Sequence, residues 1–134
     1  MKKFWEKTSL FLVTAAMTVS APLMAWALEH DIVILHTNDI HCGINDNIGF
    51  AGLAQIKKDA LARTPNVALV DAGDAIQGAP IGKLSRGLAV VDIMNYLGYD
   101  FCIPGNHEFD YGMDRFLELV PLQRAGYYCA NFVY

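Results

Sequence analysis

The feature that most constrains this chain is an alternation, downstream of residue 30, between short β-branched apolar runs and longer stretches of helical periodicity. Asp31–His36 (DIVILH), Val67–Val70 (VALV), Phe101–Ile103 and Tyr127–Val133 (YYCANFV) read as strands. Between them, Phe50–Arg63 places Leu53, Ile56, Ala60 and Leu61 at helical spacing and is broken by Pro65 and Asn66. Leu88–Leu97 carries Val91, Met94 and Leu97 at the same period, with Gly98 as a C-cap. Met113–Arg124 is a third helix, with Phe116, Leu117 and Val120 inward. Residues 72–87 hold Gly73, Gly78, Gly82 and Gly87 and read as loop. The order is βαβαβαβ. Short continuous apolar strands separated by helices predict an α/β fold, a mostly parallel sheet flanked by helices on both faces.

The first 27 residues do not belong to that pattern. Lys2, Lys3 and Lys7 precede an uncharged run from Ser9 to Met24, and Ala25-Trp26-Ala27 supplies a small-x-small sequence. These are the three parts of a secretory signal peptide, so cleavage is expected near Ala27, leaving residues 28–134 as one exported domain. A retained anchor is the weaker reading, because the run is short for a span and contains Pro22. With no cysteine near the cut, a lipoprotein is disfavoured. The motif does not separate periplasm, cell surface and medium.

Removing the three lysines and one glutamate of that leader from ten basic and 14 acidic residues leaves a formal charge of −6. Binding to a nucleic-acid polymer is therefore not expected, since it needs a basic stripe. Small anionic substrates are not excluded, because bound cations invert a local field. Cys42, Cys102 and Cys129 form no CxxC pair and suggest no disulfide scaffold. Cys102 and Cys129 lie in apolar runs and are expected to be buried packing residues.

Ligands of open α/β sheets bind at the carboxyl ends of the strands. The polar residues of this chain fall there. Thr37, Asn38, Asp39 and His41 follow the first strand. Asp71, Asp74 and Gln77 follow the second, and Asn106, His107, Glu108 and Asp110 follow the third. Each segment alone has a bland reading as a turn or a helix cap. Jointly, and in order, they put carboxylates, imidazoles and an amide on one edge.

ILHTNDIH, DAGDAIQG and GNHEFDYG together resemble the first three blocks of the calcineurin-like metallophosphoesterases. More narrowly, they resemble the secreted 5′-nucleotidase and 2′,3′-cyclic-nucleotide phosphodiesterase family, over residues 31 to 134. The resemblance implies two divalent transition-metal ions, with Zn, Mn, Fe and Co all compatible with the ligand types. It implies that Asp39 and His41 ligate the first metal, that Asp74 bridges both, and that Asn106 ligates the second through its amide oxygen. His107 would face the phosphoryl group, oriented by Asp110. The chemistry agrees: a carboxylate has two oxygens to share between cations, and paired cations stabilise an in-line displacement. A histidine held by a carboxylate can steady a phosphoryl group or protonate a leaving oxygen.

Many relatives have Gly after the first-block histidine, where this chain has Cys42. A thiol there could bind a soft metal, but the side chain is expected to point away from the metals. Family members are longer, with two further histidine-bearing blocks and a C-terminal domain that grips the nucleoside. The chain is therefore expected to be an N-terminal part of a nucleotide hydrolase, inactive alone. The alternatives are a cyclic-nucleotide phosphodiesterase or sulfur-compound hydrolase of the same fold, and a non-catalytic exported metal-binding domain.

Overall fold

The computed structural model describes residues 31–131. The leader reading and the end of the fourth strand lie outside those residues.

Three parallel strands form one sheet in the order β1 (Val33–Thr37), β2 (Val67–Asp71), β3 (Phe101–Cys102). The register pairs Leu35 with Leu69, Thr37 with Asp71, and Asp71 with Cys102. Helix α1 (Gly49–Leu61) connects β1 to β2. Helices α2 (Pro80–Ser85) and α3 (Leu88–Leu97) connect β2 to β3, and α4 (Met113–Leu119) follows β3. Single 3₁₀ turns cover His107–Phe109 and Val120–Leu122.

Side chains alternate across a strand, so Leu35, Leu69 and Cys102 face one way. They join Phe50 and Leu53 of α1, Val90, Val91 and Met94 of α3, and Leu119 of α4 in one core. Each fully buried aliphatic there contributes roughly 1.5–3 kcal/mol. This core seats the carboxyl ends of the strands, and with them the polar loops, along one rim.

The opposite sheet face differs from the expectation of two covered faces. Ile34 remains 65% exposed and Phe101 54% exposed. Among the described residues, the helices send their clustered side chains into the single core on the other side.

Five further expectations are corrected. The segment 72–87 contains a helical turn and a half, α2, hidden by its glycines. Pro80 starts it because its fixed φ suits the first helical position. Arg86 (φ 47°) and Gly87 (φ 86°) then turn left-handed and separate α2 from α3. In α1 the inward residues are Phe50, Leu53 and Ala60, while Ile56 is 41% and Leu61 48% exposed. In α4 they are Phe116 and Leu119; Leu117 is exposed, Val120 is half-buried, and a 3₁₀ turn containing Pro121 ends the segment before Arg124. The fourth strand is reduced, among the described residues, to one parallel bridge between Tyr127 and Cys102. Cys129 is accordingly exposed, whereas Cys102 is buried as its apolar run implies; all three thiols are free.

Candidate metal centre

Three loops meet at the carboxyl ends of β1, β2 and β3. The first two are laced by backbone bonds. The N–H groups of Asp39, His41 and Cys42 donate to the carbonyls of Gly73 (3.1 Å), Asp74 (2.9 Å) and Ala75 (3.0 Å). This lacing requires unusual backbone. Asp39 (φ 53°), His41 (φ 47°), Cys42 (φ 59°) and Asp74 (φ 58°) are all left-handed without being glycine. Each such residue costs on the order of 1–3 kcal/mol, and three of the four, Asp39, His41 and Asp74, are candidate metal ligands.

His41 Nδ1 lies 3.1 Å from the Gln77 carbonyl. A carbonyl only accepts, so the proton belongs on Nδ1 and the lone pair on Nε2. Nε2 stands 3.6 Å from Asp39 Oδ1, while the other Asp39 oxygen accepts from the Asn38 amide. Two electron-rich atoms therefore face each other across a gap. Asp74 directs Oδ1 at the backbone N–H of His107 (2.7 Å). His107 packs its ring edge-to-face on His41, centroids 5.0 Å apart, and places Nδ1 2.8 Å from Asp110 Oδ2. The hydrogen bond to Asp110 is the chief cause that raises the His107 pKa above the ordinary histidine value.

One ligand atom each from His41, Asp74 and His107 lies within 4.8 Å of the others. Asp39 adjoins this group through His41. Asn106 is exposed and immediately precedes His107, at the N-terminus of the 3₁₀ turn. The structure thus brings together Asp39, His41, Asp74, His107 and Asp110, with Asn106 on the same loop. His107 stands beside the candidate ligands His41 and Asp74. The donor set fits divalent cations: imidazole nitrogen opposite carboxylate oxygen is a pairing that a cation relieves, and both suit Zn, Mn, Fe or Co. Cys42 is not part of the set. Its side chain is 1% exposed, and burial, then the charge of Glu108, pushes the thiol up to about 11.

Two carboxylates take roles that the sequence does not single out. Glu108 is fully buried and accepts the backbone N–H groups of Asp74 (2.7 Å) and Gly105 (2.6 Å) on one oxygen. Its other oxygen accepts those of Ala75 (2.8 Å) and Ile76 (3.3 Å). Asp71, 4% exposed, accepts from the Thr37 hydroxyl (2.7 Å) and the Gly73 N–H (3.0 Å). Burial is the main cause that raises its pKa to about 6, against these hydrogen bonds and with help from the charges of Glu108 and Asp74. Glu108 is visible in sequence only as one acid among several in GNHEFDYG, and nothing in that string says which acid turns inward.

Comparison with known proteins agrees with this geometry. The family profile described as calcineurin-like phosphoesterase matches residues 32–134. The 5′-nucleotidase of Rattus norvegicus is 35% identical over 127 residues, covering 81% of this chain and 21% of that protein. The 2′,3′-cyclic-nucleotide 2′-phosphodiesterase/3′-nucleotidase of Haemophilus influenzae is 30% identical, covering 80% of this chain and 20% of that protein. The solved structure of a 5′-nucleotidase precursor from Thermus thermophilus superposes with a TM-score of 0.68 at 30% identity, covering 75% of this chain and 22% of that one. The chain therefore spans about a fifth of the length of the curated relatives it matches. Three converging loops, a profile match over nearly all the described residues and a shared fold have one meaning: the chain belongs to the calcineurin-like phosphoesterase family, among relatives of the 5′-nucleotidase kind.

Proposed function

We propose that this chain forms the N-terminal part of the catalytic domain of an exported two-metal hydrolase that removes phosphate from nucleotides. The observation that carries the reading is the convergence of His41, Asp74 and His107 within 4.8 Å, with Asp39 beside them. Asp39, His41 and Asp74 would hold one cation, and Asp74 and Asn106 the second. When bound, such cations supply Lewis-acid stabilisation of the phosphoryl charge. The chain's own groups do the rest. The Gln77 carbonyl keeps the His41 proton on Nδ1, so Nε2 stays free to ligate. Asp110 holds the Nδ1 proton of His107 and favours the imidazolium, leaving an Nε2 proton for an oxygen of the substrate.

Nucleotide substrates are favoured by relatives whose names specify 5′-nucleotidase and cyclic-nucleotide phosphodiesterase activity. Export rests on the Lys-rich start, the apolar run and Ala25-Trp26-Ala27. Among the described residues no helix is long and apolar enough to cross a membrane. N-terminal sequencing of exported material should find Leu28 or a near neighbour first; intact Met1 in the membrane fraction would refute cleavage.

Among the described residues the second cation would have only Asn106 and a share of Asp74, so these 134 residues alone should hydrolyse phosphoesters slowly. The test compares AMP, 2′,3′-cyclic AMP and an aryl phosphate, with Mn or Zn, on this chain and on the longest protein that contains it. Cleavage of AMP by the longer protein, abolished by chelation, supports the reading. No cleavage of any of the three by that protein under any metal would refute it.

A further inference from the structure

Glu108 stands one residue past His107, in the 3₁₀ turn His107–Phe109, and is 0% exposed. Its carboxylate takes four backbone N–H groups, two per oxygen: Asp74 and Gly105 on Oε2, Ala75 and Ile76 on Oε1. Three of the donors belong to the loop after β2 and one to the loop after β3. One anion therefore clamps the two loops together. The return contact runs the other way, because Asp74 Oδ1 accepts the N–H of His107 at 2.7 Å. The pair of contacts closes a ring between the segments. Each carboxylate holds the backbone of the other's loop, and Asp74 is fixed in its left-handed conformation, φ 58°.

We propose that Glu108 is a positioning residue of the metal centre: it touches neither cation nor substrate, but sets where Asp74, Asn106 and His107 point. The inference rests on the metal-centre reading given above. Its physical basis is the match between acceptors and donors. Buried N–H groups need partners, and an anionic acceptor with two oxygens satisfies four at once. Glutamine has the same shape but one acceptor oxygen. Whichever way its amide turns, the NH₂ meets two of the four N–H donors, and one side of the clamp opens. Partners that orient metal ligands in this manner typically govern affinity by about 10–100-fold.

The test uses the longest protein that contains this chain and Co²⁺ alone as probe, on wild type, Glu108→Gln and Val91→Ala, the last a core truncation in α3. The readouts are Co²⁺ affinity, the visible spectrum of bound Co²⁺ at saturation, the melting temperature, and hydrogen exchange of the Asp74, Ala75 and Gly105 amides. Glu108→Gln should bind Co²⁺ about 10–100-fold more weakly, shift the spectrum and speed exchange at those amides. Val91→Ala should lower the melting temperature yet keep affinity and spectrum. Should Glu108→Gln fail to fold, Glu108→Asp, which keeps the charge but falls one methylene short, carries the same readouts and expectation. A folded Glu108 variant with wild-type affinity and spectrum would overturn the proposal and leave the metal centre standing. Equal losses in Val91→Ala and Glu108→Gln would overturn it too, reducing Glu108 to a stabilising residue. Failure of that wild-type protein to bind Co²⁺ would instead overturn the metal-centre reading on which the proposal rests.

Discussion

Gly105 lies directly against Asp74: a Cβ built on Gly105 would fall 2.2 Å from Asp74 Oδ1 and 2.7 Å from its backbone nitrogen. The absent side chain is what lets the third loop close over the carboxylate of the second. Gly105→Ala should therefore push Asp74 aside, break its bond to the His107 N–H and weaken metal binding. Overpacking of this kind costs about 1–3 kcal/mol. Thermal melts and Co²⁺ titration of the variant check both effects. Wild-type affinity in Gly105→Ala would mean that the Asp74 carboxylate is not held where the structure places it.

Asp71 gives a pH dependence of definite sign. Its carboxyl is raised from 3.8 to about 6, chiefly by burial. The folded chain then holds that proton more tightly than the unfolded chain does. The stability contribution is complete below the unfolded value and is lost as pH rises from about 4 to about 6. The loss is on the order of 3 kcal/mol. Asp71→Asn cannot ionise, so it should remove this slope and make the metal-free chain more stable at pH 7. The Thr37 hydroxyl, 3.0 Å from the Tyr99 hydroxyl, can reverse its bond to receive the new NH₂. Urea midpoints at about pH 3, 5 and 7, which bracket the two values, decide the matter. Parallel profiles for wild type and variant would contradict it.

Cys42 and Gly82 should behave as a coupled pair. A Cβ on Gly82 would lie 2.1 Å from Cys42 Sγ, and Cys42 itself sits at φ 59°. Gly82→Ala alone should destabilise the chain by about 1–3 kcal/mol. Cys42→Gly removes the sulfur and relaxes the left-handed backbone, so the double variant should recover part of that loss. Coupling of about 0.5–3 kcal/mol is expected from a double-mutant cycle of denaturation midpoints. Additive effects would show that the two residues do not share space.

The parts legible in sequence are those written in local chemistry. Val67–Val70 and Asp31–His36 declare strands through β-branched runs, and the polar residues behind them declare the rim. What is lost depends on distant partners. Whether Ile34 and Phe101 are covered is not encoded near either residue. The periodicity of α1 leaves open which flank of its stripe turns inward, so Ile56 and Leu61 read as inward and Phe50 does not. Helix α2 is hidden because Gly78, Gly82 and Gly87 look like loop, although they permit close approach of neighbouring segments. Among the candidate site residues, Asp39, His41, Asp74 and Asn106 stand out as metal-ligand types after strands, and His107 and Asp110 as an i, i+3 pair. Glu108 and Asp71 do not, because only the fold turns those carboxylates inward onto backbone N–H groups.

The central claim is that the three loops build a metal centre in which Asp74 holds cations and His107 serves the phosphoryl group. The most direct measurement is metal content together with phosphoester hydrolysis, on Asp74→Ala and His107→Ala variants of the longest protein containing this chain. Asp74→Ala should lose both metal and activity. His107→Ala should retain metal and lose about 10²–10⁴-fold in rate. A His107→Ala protein as empty of metal as Asp74→Ala would contradict this division of roles and make His107, already at ligand distance from His41 and Asp74, a metal ligand.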